Sequence, residues 1–138
     1  MIRIEDYIPI VGEPVITDLR LLAQKLKGRK IVHVNSTAIG GGVAEILNRM
    51  NPLLKELGVE SSWQVIKGGE RCFEVTKKFH NALHGKKTEI TKDDFGVFIE
   101  NGQKNAEEMT ADADIMFIHD PQPITLISKK KEIGRAHV

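Results

Sequence analysis

Residues 30–56 read KIVHVNSTAIGGGVAEILNRMNPLLKE. The run opens with a β-branched segment, IVHVN at residues 31–35, suited to a strand covered on both faces. It then passes through Gly40, Gly41 and Gly42. In residues 43–57 the apolar side chains Val43, Ile46, Leu47, Met50, Leu53, Leu54 and Leu57 recur three or four positions apart, the period of one helix face. Pro52 lies inside that pattern and predicts a kink or a break into two pieces. Gly58 ends the helix, and residues 59–66 (VESSWQVI) supply a second strand. Strand, glycine turn, helix and strand make a unit of the length that a right-handed parallel crossover needs.

The flanking segments continue the alternation. Residues 1–14 read as an irregular arm whose Ile8, Ile10 and Val11 are suited to lie against a sheet edge. Ile16, Leu19, Leu22, Ala23 and Leu26 mark one face of a helix over residues 15–27, stopped by Gly28. After a second glycine turn at residues 67–70 (KGGE), a helix is predicted over residues 72–83 and another over 93–109. Thr91 and Asp94 resemble a capping box, with Asp where Glu or Gln is usual. Residues 114–119 (DIMFIH) read as a third strand ended by Pro121, and residues 124–131 as the start of a further helix. No internal repeat, linker or low-complexity stretch interrupts the order, so an α/β fold follows, with a mostly parallel sheet and helices on both faces.

Composition narrows the class of protein. The chain has 138 residues, 41% of them apolar and 28% charged, which suits one folded domain with a real core. Twenty basic residues against nineteen acidic ones leave a charge of +1, no basis for a nucleic-acid partner or an anionic membrane. Cys72 is the only cysteine, so no intramolecular disulfide forms. No stretch approaches the roughly 20 apolar residues of a membrane span, and the first residues lack the apolar run of a signal peptide. A soluble, cytoplasmic protein is expected.

Ligands of parallel sheets bind outside the carboxyl ends of the strands, where residues 36–42 and 119–122 are expected to lie. A polyphosphate arriving at a strand-to-helix turn needs unobstructed backbone N–H groups, and Gly40, Gly41 and Gly42 offer them at a helix start that favours negative charge. They match neither the dinucleotide fingerprint, because Glu45 stands where its third glycine belongs, nor the Walker motif, which needs a lysine. A plain flexible turn is the alternative. The second motif is His119-Asp120-Pro121-Gln122-Pro123. Asp120 is suited to accept hydrogen bonds from sugar hydroxyls and Gln122 to donate and accept them, while His119 adds a titratable ring. The alternative makes Asp120 a helix N-cap and His119 a packed side chain.

Other residues read as structural. His33 within its strand is expected to pack, and Trp63 to belong to the core in preference to a sugar-stacking platform. His80 and His84 stand four apart on a helix without a third ligand, so no metal site is expected. Residues 129–131 read as a solvated lysine face.

The runs VNSTAIGGGVAEILNRMNPLLKELG and SSWQVIKGGERCFEVTKKFHNALHG, followed by FIHDPQP, resemble the N-terminal part of the glycosyltransferring trehalose synthases. Those are retaining enzymes of the GT-B type, with two Rossmann-like domains facing across a cleft. The resemblance extends to about Gly134. It implies transfer of glucose from a nucleotide-diphosphate glucose, typically ADP-glucose, to glucose, giving trehalose, with no further cofactor required. It also implies that Gly40, Gly41 and Gly42 lie against the donor, and that Asp120, with His119 and Gln122, faces the acceptor. On this reading residues 1–138 are an incomplete N-terminal Rossmann-like domain without its nucleotide-binding partner domain, inactive alone. Residues 135–138 look out of place, and the sheet edge left open is suited to a homo-oligomer.

Overall fold

The computed structural model describes residues 3–109, 112–131 and 135–137. Its centre is β1 (Lys30–Asn35), buried at every position but the first. β1 pairs in parallel with β2 (Glu60–Val65) on one side and β3 (Ile115–Ile118) on the other, and β4 (Arg135–His137) adds in parallel beyond β3. The order β2-β1-β3-β4 places the first strand inside the sheet. The chain therefore winds outward from β1 to β2, then returns to build on the other side through β3. β4 was not expected. Its sequence, Arg-Ala-His, has no apolar alternation, and the open edge of β3 gives it a pairing partner.

The two-residue period of β1 divides the core. Val32 and Val34 join Ile66, Met116, Ile118 and Leu126 on one face, and Ile31 joins Ala23, Val59, Leu54 and Phe117 on the other. The second face is covered by α2 (Glu13–Lys25) and α3 (Gly42–Glu56). The first is covered by α5 (Lys92–Glu108) and the 3-10 helix Ile124–Lys131. Gly102 permits that contact, because a Cβ there would fall 2.5 Å from Thr125 Cβ.

Three expectations are corrected. α3 continues past the solvent-facing Pro52 as one helix, so of the kink or break expected there the break into two pieces is absent. From residue 3 onward the arm is regular, with a 3-10 turn at Ile4–Tyr7 and the short helix α1 (Ile8–Val11), which packs on α2 and not on the sheet. Ile4 is its buried anchor, with a backbone N–H that donates to Glu56 at 2.8 Å, while Ile10 and Val11 are exposed. Finally, α2 buries Ile16 and Ala23 but leaves Leu19 and Leu22 exposed.

α4 (Glu70–Leu83) packs on α5 through Phe79, whose ring lies 5.2 Å from that of Phe95 and 5.1 Å from that of Phe98. The predicted capping box is present: Asp94 N–H donates to Thr91 Oγ1 at 3.1 Å, and Thr91 N–H donates to Asp94 Oδ2 at 2.9 Å. The same buried carboxylate accepts from Lys78 Nζ at 2.9 and 3.0 Å and from Arg71 at 3.2 Å. The Thr91 backbone and then Lys78 hold its pKa down to about 2.

Candidate functional site

The winding reverses between β1 and β3, so their carboxyl ends flank the topological switch point of the sheet. His119 N–H donates to Val34 O at 2.8 Å, which binds the two ends together just before both chains leave the sheet. Residues 36–42 leave from β1 and residues 119–123 from β3.

The first loop is built on Asn35, which is buried. Its Nδ2 donates to Thr37 O at 2.7 Å and its Oδ1 accepts from Trp63 Nε1 at 2.8 Å. Trp63 is thus a half-buried tether of the loop. Thr37 Oγ1 donates to Ile39 O at 2.7 Å, and Ile39, 89% exposed, stands at the tip. Gly40 and Gly41 then take φ of 74° and 84°, and Gly41, with ψ of 151°, is the N-cap of α3 in a region open essentially only to glycine. No side chain caps this helix, so its first-turn N–H groups have no side-chain acceptor. Gly42 differs. Its φ is not positive, and a Cβ there would meet nothing within 4 Å. Neither backbone nor packing asks for glycine at position 42, and its lack of a side chain keeps the start of α3 open.

In the second loop Asp120 is exposed and left-handed, with φ of 68°, a conformation Asp tolerates better than most residues. It does not cap the following helix, which begins at Ile124, four residues on. Gln122 Oε1 is buried without a hydrogen-bond partner, so the acceptor expected to meet a sugar is closed off from solvent.

Beneath His119 lies a residue that was expected only to pack. His33 is 3% exposed and stacks on Phe117 with ring centroids 5.0 Å apart and planes at 15°. It is also hydrogen-bonded, with Nδ1 3.1 Å from His119 Nε2. Burial, helped by the neighbouring His119, pushes the His33 pKa down to about 4. Burial lowers that of His119 as well, with the Asp120 charge pulling the other way. The sequence signal is slight: His33 sits two residues before the end of β1 and His119 just past β3, and only the parallel register brings the rings together.

Other features fall elsewhere. A cavity of about 450 Å³ opens at the amino ends of β1 and β2, lined by Lys30, Ser61, Ser62 and Asp112. It is crossed by the Lys30–Asp112 ion pair and lies opposite the edge where α/β sheets bind ligands, so we place the site at the carboxyl edge. His84 Nδ1 donates to His80 O at 2.8 Å, which ties that ring to the end of α4. Among the described residues no group of three or more His, Cys, Asp or Glu is arranged to hold a metal, and no helix is long and apolar enough to cross a membrane.

Residues 33–138 match the family model described as trehalose synthase, N-terminal domain. Trehalose synthase of Thermococcus litoralis is 42% identical over 142 residues, covering 99% of this chain and 34% of that protein. Trehalose synthase of Rubrobacter xylanophilus is 40% identical over 121 residues, 86% of this chain and 29% of the relative. Trehalose phosphorylase of Pleurotus pulmonarius is 31% identical over 146 residues, 94% of this chain and 19% of the relative. The chain thus spans about a third of the length of the synthases it matches.

Proposed function

The chain belongs to the trehalose synthase family, by its N-terminal domain, and from that premise we propose that it forms one wall of a retaining glucosyltransferase site of the GT-B type. The reaction moves glucose from a nucleotide-diphosphate glucose, typically ADP-glucose, to C1 of a second glucose, giving trehalose. The observation that carries this reading is that the open glycine turn and the His119–Asp120 turn leave neighbouring strands at one switch point. Gly40, Gly41 and Gly42 receive the donor at the uncapped start of α3, whose N–H groups favour negative charge. Asp120 takes the catalytic place, with its carboxylate accepting a hydrogen bond from the acceptor sugar; His119 joins that side, and Gln122, its Oε1 closed off from solvent, is left with its amide N–H groups to donate.

In front-face transfer the departing diphosphate takes the acceptor's proton. The protein then holds two sugars in register and stabilises the leaving group, and no strong base is needed. The nucleotide contacts belong to a facing domain of the longer protein, so this chain alone is expected to bind weakly and turn over little or nothing. Higher identity to the synthases than to the phosphorylases, 42% against 31%, favours the synthase reaction. Self-association through an open sheet edge is part of the same proposal.

Gly42→Val tests the donor side, because position 42 accepts a side chain without strain. Calorimetry with ADP-glucose is expected to show binding to the parent chain and at least a tenfold loss in the variant, with melting temperature nearly unchanged. Equal binding by both would overturn the donor assignment. Trehalose formation by the parent chain at an ordinary enzyme rate would overturn the need for a facing domain.

A further inference from the structure

We propose that His33 is a positioning residue: it holds the His119 ring end-on and keeps its proton on Nδ1, so that His119 meets a ligand as a hydrogen-bond donor. The ligand part of this inference rests on the reading of the carboxyl edge given above.

The two rings are nearly coplanar, at 24°, and their centroids are 5.4 Å apart across a 3.1 Å contact between nitrogens. That separation is what rings lying end to end require, so the hydrogen bond runs close to both ring planes. Phe117, paired with His33 in the β1–β3 register and stacked on its face, keeps the inner ring from turning.

A neutral imidazole carries one N–H donor and one bare acceptor. If His33 accepted at Nδ1, its Nε2 would carry a proton, and that atom is buried with no partner. Orphaned buried N–H groups are rarer than under-satisfied acceptors. His33 therefore carries its proton on Nδ1 and donates it to His119 Nε2, which leaves Nε2 of His33 with only a lone pair. The bond made by one ring nitrogen determines which form the other takes. With its Nε2 accepting, His119 has its proton on Nδ1.

The result is a donor at residue 119 next to a carboxylate acceptor at residue 120. A sugar hydroxyl, which both donates and accepts, fits such a neighbouring pair; a ligand group that only donates does not satisfy His119.

Long-range ¹⁵N–¹H correlation spectra of the ¹⁵N-histidine-labelled chain at neutral pH test the coupling. Both His33 and His119 are expected to show protonated Nδ1 and unprotonated Nε2. His33→Phe should release His119 to the other tautomer or a mixture, and His33→Asn, whose amide can donate the same bond, should retain Nδ1–H. A protonated Nε2 on His119 in the parent chain, or a His119 signal indifferent to His33→Phe, overturns the proposal. If His33→Phe fails to fold, the parent and His33→Asn spectra decide it. A parent chain with the expected tautomers whose His119 signals stay fixed at high glucose concentration overturns the ligand role alone.

Discussion

Between about pH 6.5 and pH 4 an unfolded chain takes up a proton on His33 that the folded chain refuses, because burial holds the native ring near a pKa of about 4. The unfolded state then binds more protons, so stability rises with pH across this window and is lost as pH falls through it. One such proton amounts to about 1.4 kcal/mol per pH unit. Urea denaturation at stepped pH is expected to show that slope from His33, and His33→Phe should flatten it; an unchanged slope would mean that residue 33 does not titrate this way. Residues 119–122 show what a motif can and cannot reveal. Their place at a strand end was legible, since FIH followed by Asp120 and then Pro121 admits few readings. The left-handed backbone of Asp120 and the closed-off oxygen of Gln122 were not, because both depend on how the turn lies against the sheet.

At the scale of elements, α5 contrasts two glycines within one helix. A Cβ at Gly102 would collide with Thr125, whereas a Cβ at Gly96 would meet nothing within 4 Å. Gly102→Ala is expected to destabilise by about 1–3 kcal/mol through overpacking. Gly96→Ala should stabilise by about 0.5–1 kcal/mol through helix propensity. Chemical denaturation of the two variants checks both signs, and a neutral Gly102→Ala would show that the contact with the 3-10 helix is loose. The strands, α3 and the capping box of α5 were legible because period, glycine stops and Thr91–Asp94 spacing are local. The fate of Pro52 was not, since it depends on which side of α3 meets solvent. Likewise, Asp94 read as a cap, while its second task of binding Lys78 and Arg71 across to α4 needs the two helices docked.

Across the whole molecule the described sheet ends at β2 on one side and, on the side where later strands were expected, at the three-residue β4, and α2 leaves Val15, Leu19 and Leu22 exposed. Self-association through the edge predicts a solution mass above that of one chain at micromolar concentration, falling on dilution. Light scattering behind size-exclusion chromatography reads it, and a strictly monomeric profile would reject it.

By itself the amino-acid sequence determined the parallel α/β class, the glycine turn at the head of α3 and the presence of a His-Asp turn at a strand end. These follow from hydrophobic period and from residues whose backbone preferences act over a few positions. Only the tertiary structure decided that β1 lies between β2 and β3, which makes the two loops neighbours at one switch point. It also decided that His33 stands behind His119. Strand order and register join residues 86 positions apart, and no local preference encodes a contact of that range.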